Sequence, residues 1–468
     1  MTRGSALIAG GPALDRDRQG RRSSPGDIAG DPSGGVRTAH DALGPVPVPR
    51  DAWYGARTAR AVATLDAGGP RLGDRPALLR ALARVKQSAA RANAAAGVLP
   101  AEAAEAIDRA AASVAAGRVG AVHFPADLWS GGGGIAVHTN VNEVIAAIAD
   151  ADLDLRGRLD ATPSIGPTEV NASQSTADVC HTALRLAVLD ALDELDRPLD
   201  DVANGIAALT RAAEGVTTLS RTCLQDALAV PASLLPEGAA ANLAAARARL
   251  AASAEPLGLV TLGGTVVGTG DGAPPAYRAA VVPALARVTG RVLRAEAAPA
   301  ARLQQATDLD AVTAAIAALS GVLARLARDL RLLAAGPLGG PAELRMPPLV
   351  EGSTFFAGKT NPVGAETVLQ LDLVVRGHAA TVQGAVAAGE LHLHTHDLFA
   401  GVHLLDAIAT TATAARSLGD GCLDGLTVDA TRCADLAAGA ARRRPDPAAG
   451  SDHEPTPSEP PLQPEDRP

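Results

Sequence analysis

Apolar residues return at intervals of three and four along most of the chain, the pattern of helices that bury one face. The clearest run is Leu309 to Ala335, where Val312, Ile316, Leu319, Leu323, Leu326, Leu330 and Leu333 are spaced 4, 3, 4, 3, 4, 3. That is a heptad seam. Thr307 and Asp310 stand where side chains can cap its start, and Gly336-Pro337 follows its end. A helix of this length extends about 40 Å, and so long a seam is buried against other long helices. Arg325, Arg328 and Arg331 fall off the seam, towards solvent or a second interface. A shorter helix is predicted over Pro100–Ala116, with proline and Glu102 in its first turn and Gly117 at its stop. The expected fold is all-α with a bundle at its centre.

The helical pattern fails at both ends. Residues 1–45 mix Gly, Pro, Ser and charge without periodicity, and 443–468 are rich in Pro and Glu. Both read as disordered extensions. Of the 468 residues, 47% are hydrophobic, enough for a sizeable core, and only 2% are aromatic, so that core must be Ala, Leu and Val. The net charge of −9 argues against a nucleic-acid partner. No apolar run reaches the about 18 residues of a spanning helix, which argues against a membrane protein. The N-terminus lacks a charged segment followed by an apolar one, so no signal peptide is expected. Cys180, Cys223, Cys422 and Cys433 lie far apart with no CxxC spacing, which suits reduced thiols in the cytoplasm. Only two of the 42 basic residues are lysines, Lys86 and Lys359, which singles out both positions.

Polar, Gly-rich stretches interrupt the helices, and loops are where chemistry concentrates. In Glu351–Pro362 (EGSTFFAGKTNP), Ser353 and Lys359 can meet if the loop folds back. A cation and backbone N–H groups around a serine hydroxyl favour its alkoxide and make it a base. The plainer alternative is a flexible linker.

The stretch GSTFFAGKTNPVGAE (352–366) resembles the signature loop of the fumarase–aspartase superfamily, whose usual form is GSSxMPxKxNP. WSGGGGIAVHTNVNEVIA (129–146) is similar to the family's first block and VNASQSTADVCHTA (170–183) to its second. RTCLQDALAV (221–230) resembles the RTHLQDA segment, and LGGTVVGTG (262–270) the glycine-rich segment after it. WYGARTARA (53–61) and GELHLHTHDL (389–398) fall in the family's order, so the resemblance spans about residues 50–441.

The resemblance implies a cytoplasmic homotetramer whose central helices form a shared bundle and whose active sites each draw on three subunits. Its domains would be an N-terminal lyase domain (46–172), a central helix-bundle domain (173–424) and a remnant of a small C-terminal domain (425–442). The implied chemistry is anti elimination from a succinyl-type dicarboxylate or amino acid, releasing fumarate and an amine or water, with no metal or organic cofactor. Ser353 would remove the Cβ proton. Lys359, Asn361, Ser175, Thr176 and Thr222 would hold the resulting dianion, and Glu366 matches a glutamate that relays a proton.

The chain also departs from the family. Ile135, Ala136, Val137 and His138 replace polar substrate-binding positions, Ala177 replaces an asparagine, Cys223 a histidine, and Phe355 and Phe356 enter the loop. Each lost hydrogen bond to a charged group is worth about 1.5–3 kcal/mol, so the dicarboxylate clamp is weakened. His138 either donates to a substrate oxygen or is packed. Cys223, with no base beside it, reads as a plain pocket thiol. In the HLHTH run, His392 and His396 would share a helix face with no third ligand beside them, so His392, His394 and His396 read as surface or interface residues. Gly131–Gly134 is followed by no GK[ST], so it serves close backbone approach rather than phosphate binding. The leading expectation is an aspartate ammonia-lyase-like enzyme, with fumarase next. A less polar substrate, or a non-catalytic subunit paired with an active paralogue, stays open.

Overall fold

The computed structural model describes residues 35–156 and 164–441. The helices, in chain order, are α1 (Ala56–Thr64), α2 (Pro76–Ala95), α3 (Ala101–Ala115), α4 (Ile135–Leu155), α5 (Pro167–Val170), α6 (Thr176–Ala212), α7 (Leu234–Ala254), α8 (Pro275–Thr289), α9 (Pro299–Leu303), α10 (Thr307–Leu333), α11 (Val363–Ala387), α12 (Asp397–Leu418) and α13 (Ala430–Ala441). Short strands pair as β1 (Val36–Asp41) with β2 (Gly44–Pro49), β3 (Thr217–Thr222) with β4 (Gln225–Pro231), β5 (Leu259–Val260) with β6 (Arg294–Ala295), and β7 (Leu344–Arg345) with β8 (Thr427–Val428). The fold is all-α, as the periodicity predicts, and the elements fall into two compact units.

The first unit holds the described residues up to Thr176 together with 272–289. It therefore takes in α8, which the sequence places in the central domain. Here α2 packs on α3, α4 and α8 around Leu78, Leu82, Val85 and Ile107. Glu143, inside NVNEVIA, accepts the backbone N–H groups of Gly55 (2.8 Å), Arg57 (3.0 Å) and Thr58 (3.1 Å). One buried carboxylate thus caps α1 from α4 and offsets the positive end of its dipole. Residues 36–45, expected to be disordered, are instead ordered, because β1 and β2 form an antiparallel hairpin from Val36 to Pro49. The backbone ladder, Arg37 on the Tyr54 carbonyl (2.6 Å), the Arg60–Asp41 ion pair and the alternately buried Val46 and Val48 of β2 hold it. Residues 1–34 and the tail from 443 lie outside the described residues.

The second unit comprises 177–271 and the described residues from 290. Helix α10 packs against α7, α11 and α12, and the seam from Val312 to Leu330 is buried. Its start is not side-chain capped: the N-cap is Ala306, and Asp308 turns inward to Arg185 and Arg302. Arg185, fully buried on α6, chelates Asp308 through two hydrogen bonds of 2.9 Å and donates to Asp397 at 2.5 Å. Its guanidinium holds the Asp308 carboxyl well below the usual range against the opposing effect of burial, whereas burial wins at Asp397 and raises it. By length and composition α10 and the Asp397–Leu423 segment could each cross a membrane, but half to two-thirds of their most apolar stretches is buried within the fold. The unbroken-run criterion did not register them. Residues 217–231 depart from the helical reading as the β3–β4 hairpin, on which α13 packs.

Candidate functional site

The loop from Glu351 closes on itself, because a side chain at Gly352 would collide with the carbonyl of Lys359. Only glycine permits that approach. Closure turns the amides of Phe355 (3.0 Å) and Phe356 (3.3 Å) onto the Ser353 Oγ, so both N–H groups donate to it. The Lys359 ammonium lies 5.8 Å from the Phe356 ring centroid rather than on Ser353. Phe355 and Phe356 pack edge to face at 4.8 Å and are 83% and 58% exposed, so neither seals the loop within this chain. Lys359, Asn361 and Glu366 line one cavity of about 1080 Å³ together with Arg331, Arg345 and Arg432. Glu366 is paired there with Arg331 at 3.2 Å. Ser353 lines a separate, smaller cavity, of about 380 Å³.

In the first unit the glycine run ends in three consecutive left-handed residues, Gly132 (φ 84°), Gly133 (φ 64°) and Gly134 (φ 89°). They deliver the chain into the first turn of α4, where Ile135 is exposed while Ala136, Val137 and His138 are buried. His138 is not presented as a substrate ligand. Its Nε2 sits 2.7 Å from the Lys86 Nζ and its Nδ1 2.8 Å from the Thr176 Oγ1, so both ring nitrogens are engaged inside the protein. Burial, and then the charge on Lys86, hold His138 well below the usual imidazole range. A neutral ring that accepts from Lys86 at Nε2 carries its proton on Nδ1 and donates it to Thr176. Lys86 also donates to Asn171 Oδ1 and Gln174 Oε1, both at 3.0 Å, which uses the three hydrogens of an ammonium. Thr176 and the half-buried Ser175 stand at the entry to α6.

Sequence reasoning marked Lys86 as a rare lysine but assigned it no role. Asn171 and Gln174 passed unnoticed inside the second block, and nothing in their spacing shows that a lysine 85 and 88 residues away would bind them.

Thr222 and Cys223 are exposed at the tip of the β3–β4 hairpin. Cys223 (φ 52°) and Leu224 (φ 62°) both adopt the left-handed conformation of a two-residue turn that glycine or asparagine normally fills. Neither residue lines the cavity of Lys359 and Asn361. None of the four cysteines forms a disulfide. In the second block Asp178 is buried and accepts the amides of Gly263 and Thr265 at 3.0 Å, anchoring the glycine-rich segment 262–270. The three histidines of HLHTH do not open a helix as expected: they occupy the turns before α12, whose first residue is Asp397. His392 is exposed and His396 half-buried, and both precede the first residue of α12, so they share no helix face; His394 is buried with its Nε2 at 3.1 Å from the Val386 carbonyl.

The protein family described as lyase matches residues 44–377. A class II fumarate hydratase of Pseudomonas aeruginosa is 34% identical over 402 residues, covering 86% of this chain and 86% of that protein. An aspartate ammonia-lyase of the same organism is 37% identical over 417 residues, covering 86% and 85%. Among solved structures, a cobalt-bound fumarate lyase (delta crystallin) of Brucella melitensis superposes with a TM-score of 0.82 at 33% identity, over 86% of this chain and 87% of that one.

Proposed function

The chain belongs to the lyase family that includes class II fumarases and aspartate ammonia-lyases, and we propose that it catalyses anti β-elimination from a succinyl-type amino acid, aspartate to fumarate and ammonia. Fumarase chemistry, with water as the leaving group, is the nearest enzymatic runner-up. The observation that carries the reading is the Ser353 hydroxyl under two backbone N–H donors in a loop closed by Gly352. Such donors favour the alkoxide over the alcohol and allow serine to take the weakly acidic Cβ proton. Loss of that proton leaves an aci-carboxylate dianion that fixed donors must hold until the amine departs and fumarate forms. Lys359 and Asn361 are in the proposal its electrophilic partners, Glu366 the proton relay, and the arginine-lined cavity beside them suits a dicarboxylate.

Thr222, Cys223, Ser175 and Thr176 complete the proposed site from other subunits of a homotetramer. His138 acts behind them by directing the Thr176 hydroxyl. The tetramer reading is supported by the outward face of α11, where Leu373 is 68% and Val374 47% exposed. A less polar substrate is the second reading, favoured by the exposed Ile135 at the first turn of α4 and by Phe355 and Phe356 in the loop.

The test is ultraviolet detection of fumarate from purified protein supplied separately with aspartate, malate, argininosuccinate and adenylosuccinate. Turnover of aspartate is expected, and Ser353→Ala should remove it by at least about a thousandfold while the assembly stays intact. Turnover retained in Ser353→Ala would overturn the serine-base mechanism. Silence on all four from an assembled protein would leave the less polar substrate or a non-catalytic subunit.

A further inference from the structure

Helices α11 and α12 are neighbours joined by a short turn, and the side chains that meet across them include three metal-ligating groups unused by the proposed elimination. His378 lies nine residues before the end of α11, while His403 and Asp406 lie six and nine residues after the start of α12. Counted from the turn, the three positions fall within one helical turn of one another. His403 and Asp406, three residues apart, share one face of α12. One ligand atom from each of the three lies within 4.8 Å of the others, and all three residues are half-buried. The two imidazoles present the same atom to each other, with His378 Nδ1 3.2 Å from His403 Nδ1. Phe399, one turn before His403, packs edge to face on its ring at 4.7 Å and restricts its orientation.

We propose that His378, His403 and Asp406 form a site for a divalent transition metal of the zinc, cobalt or nickel type. A tetrahedral ion with metal–nitrogen bonds of about 2.0–2.1 Å holds two nitrogens about 3.4 Å apart, close to the separation already present. Without an ion, one of the facing nitrogens must carry a proton for the other to accept. With an ion, both lone pairs point at the metal, and Asp406 supplies the carboxylate that offsets part of its charge. Two imidazoles and one carboxylate discriminate against magnesium and calcium, which take oxygen ligands. Three protein ligands leave at least one position for water. The site lies on the bundle helices rather than in the Ser353 loop, so its occupancy bears on the packing of α11 against α12.

The experiment titrates the metal-free, assembled full chain with Co²⁺, followed by visible d–d absorption, and then displaces the Co²⁺ with Zn²⁺. One ion per chain with bands of a tetrahedral site is expected. His378→Asn and His403→Gln, chosen to preserve volume, should each weaken binding at least about tenfold, and the double variant should remove the bands. X-ray absorption on the cobalt-loaded wild type, independent of any variant's folding, should show nitrogen and oxygen neighbours. Failure of the wild type to develop the bands would overturn the site, as would sulfur in the shell or unchanged binding by the folded double variant.

Discussion

Lys86 is charged and buried, and its three hydrogens are taken by His138, Asn171 and Gln174. At the scale of single residues this sets a pH dependence. His138 and His181 are both buried and held well below the ordinary imidazole range, first by burial and then by Lys86 and Arg185 respectively. Unfolded imidazoles titrate near about 6.5, so below that pH the unfolded chain takes up protons that the native chain refuses. Stability is therefore greatest above this range and falls as the pH drops through it, by up to about 1.4 kcal/mol per pH unit for each histidine. Urea midpoints at pH 7.5 and 5.5 should show the loss. His138→Gln, which keeps a polar group beside Lys86, should flatten the dependence; an unchanged slope would exclude His138 from it. Burial pushes the Cys422 thiol up to about 12, so it stays unreactive at neutral pH.

At the scale of elements, the buried cluster around Arg185 ties α6 to the starts of α10 and α12. Arg302 adds a second cation to Asp308 at 2.8 Å. Removing one partner from such a cluster leaves charge buried without compensation, at about 3–5 kcal/mol. Arg185→Met should lower the unfolding free energy by that amount, measured by urea denaturation at pH 7.5. A loss below about 1 kcal/mol would mean that Asp308 and Asp397 find other partners. The seam of α10 was plain from its spacing because apolar burial is periodic. Thr307 and Asp310 do not cap the same helix because it begins at Thr307 itself, after the N-cap Ala306, and the start is fixed instead by the ion pairs of Asp308, which leave no local pattern. The β3–β4 hairpin was missed for a related reason: its turn places Cys223 and Leu224 in a conformation that local preference disfavours.

For the whole molecule, the closed loop with Ser353 and the hairpin tip with Cys223 line different cavities of the second unit, and Ser175 and Thr176 belong to the first unit. Assembly through the outward face of α11 is the proposed means of joining them. Charged residues placed there should break it. Leu373→Asp combined with Val374→Asp is expected to convert a tetramer to smaller species by light scattering after size exclusion, with loss of turnover. A charged face that still assembles would move the interface elsewhere.

The amino-acid sequence by itself determined the all-α class, the long central helix and the family, because apolar periodicity and short motifs are local properties that survive without coordinates. It also marked the Ser353 loop, where glycine, serine, lysine and Asn-Pro fall within twelve residues. Only the tertiary structure decided that His138 is an internal partner of Lys86 and Thr176, that Asp178 anchors the glycine-rich segment, and that His378 meets His403. Those pairings join residues 38 to 87 positions apart in the first two cases and 25 in the third. Their existence depends on which helix faces meet, and that is settled by packing rather than by spacing along the chain.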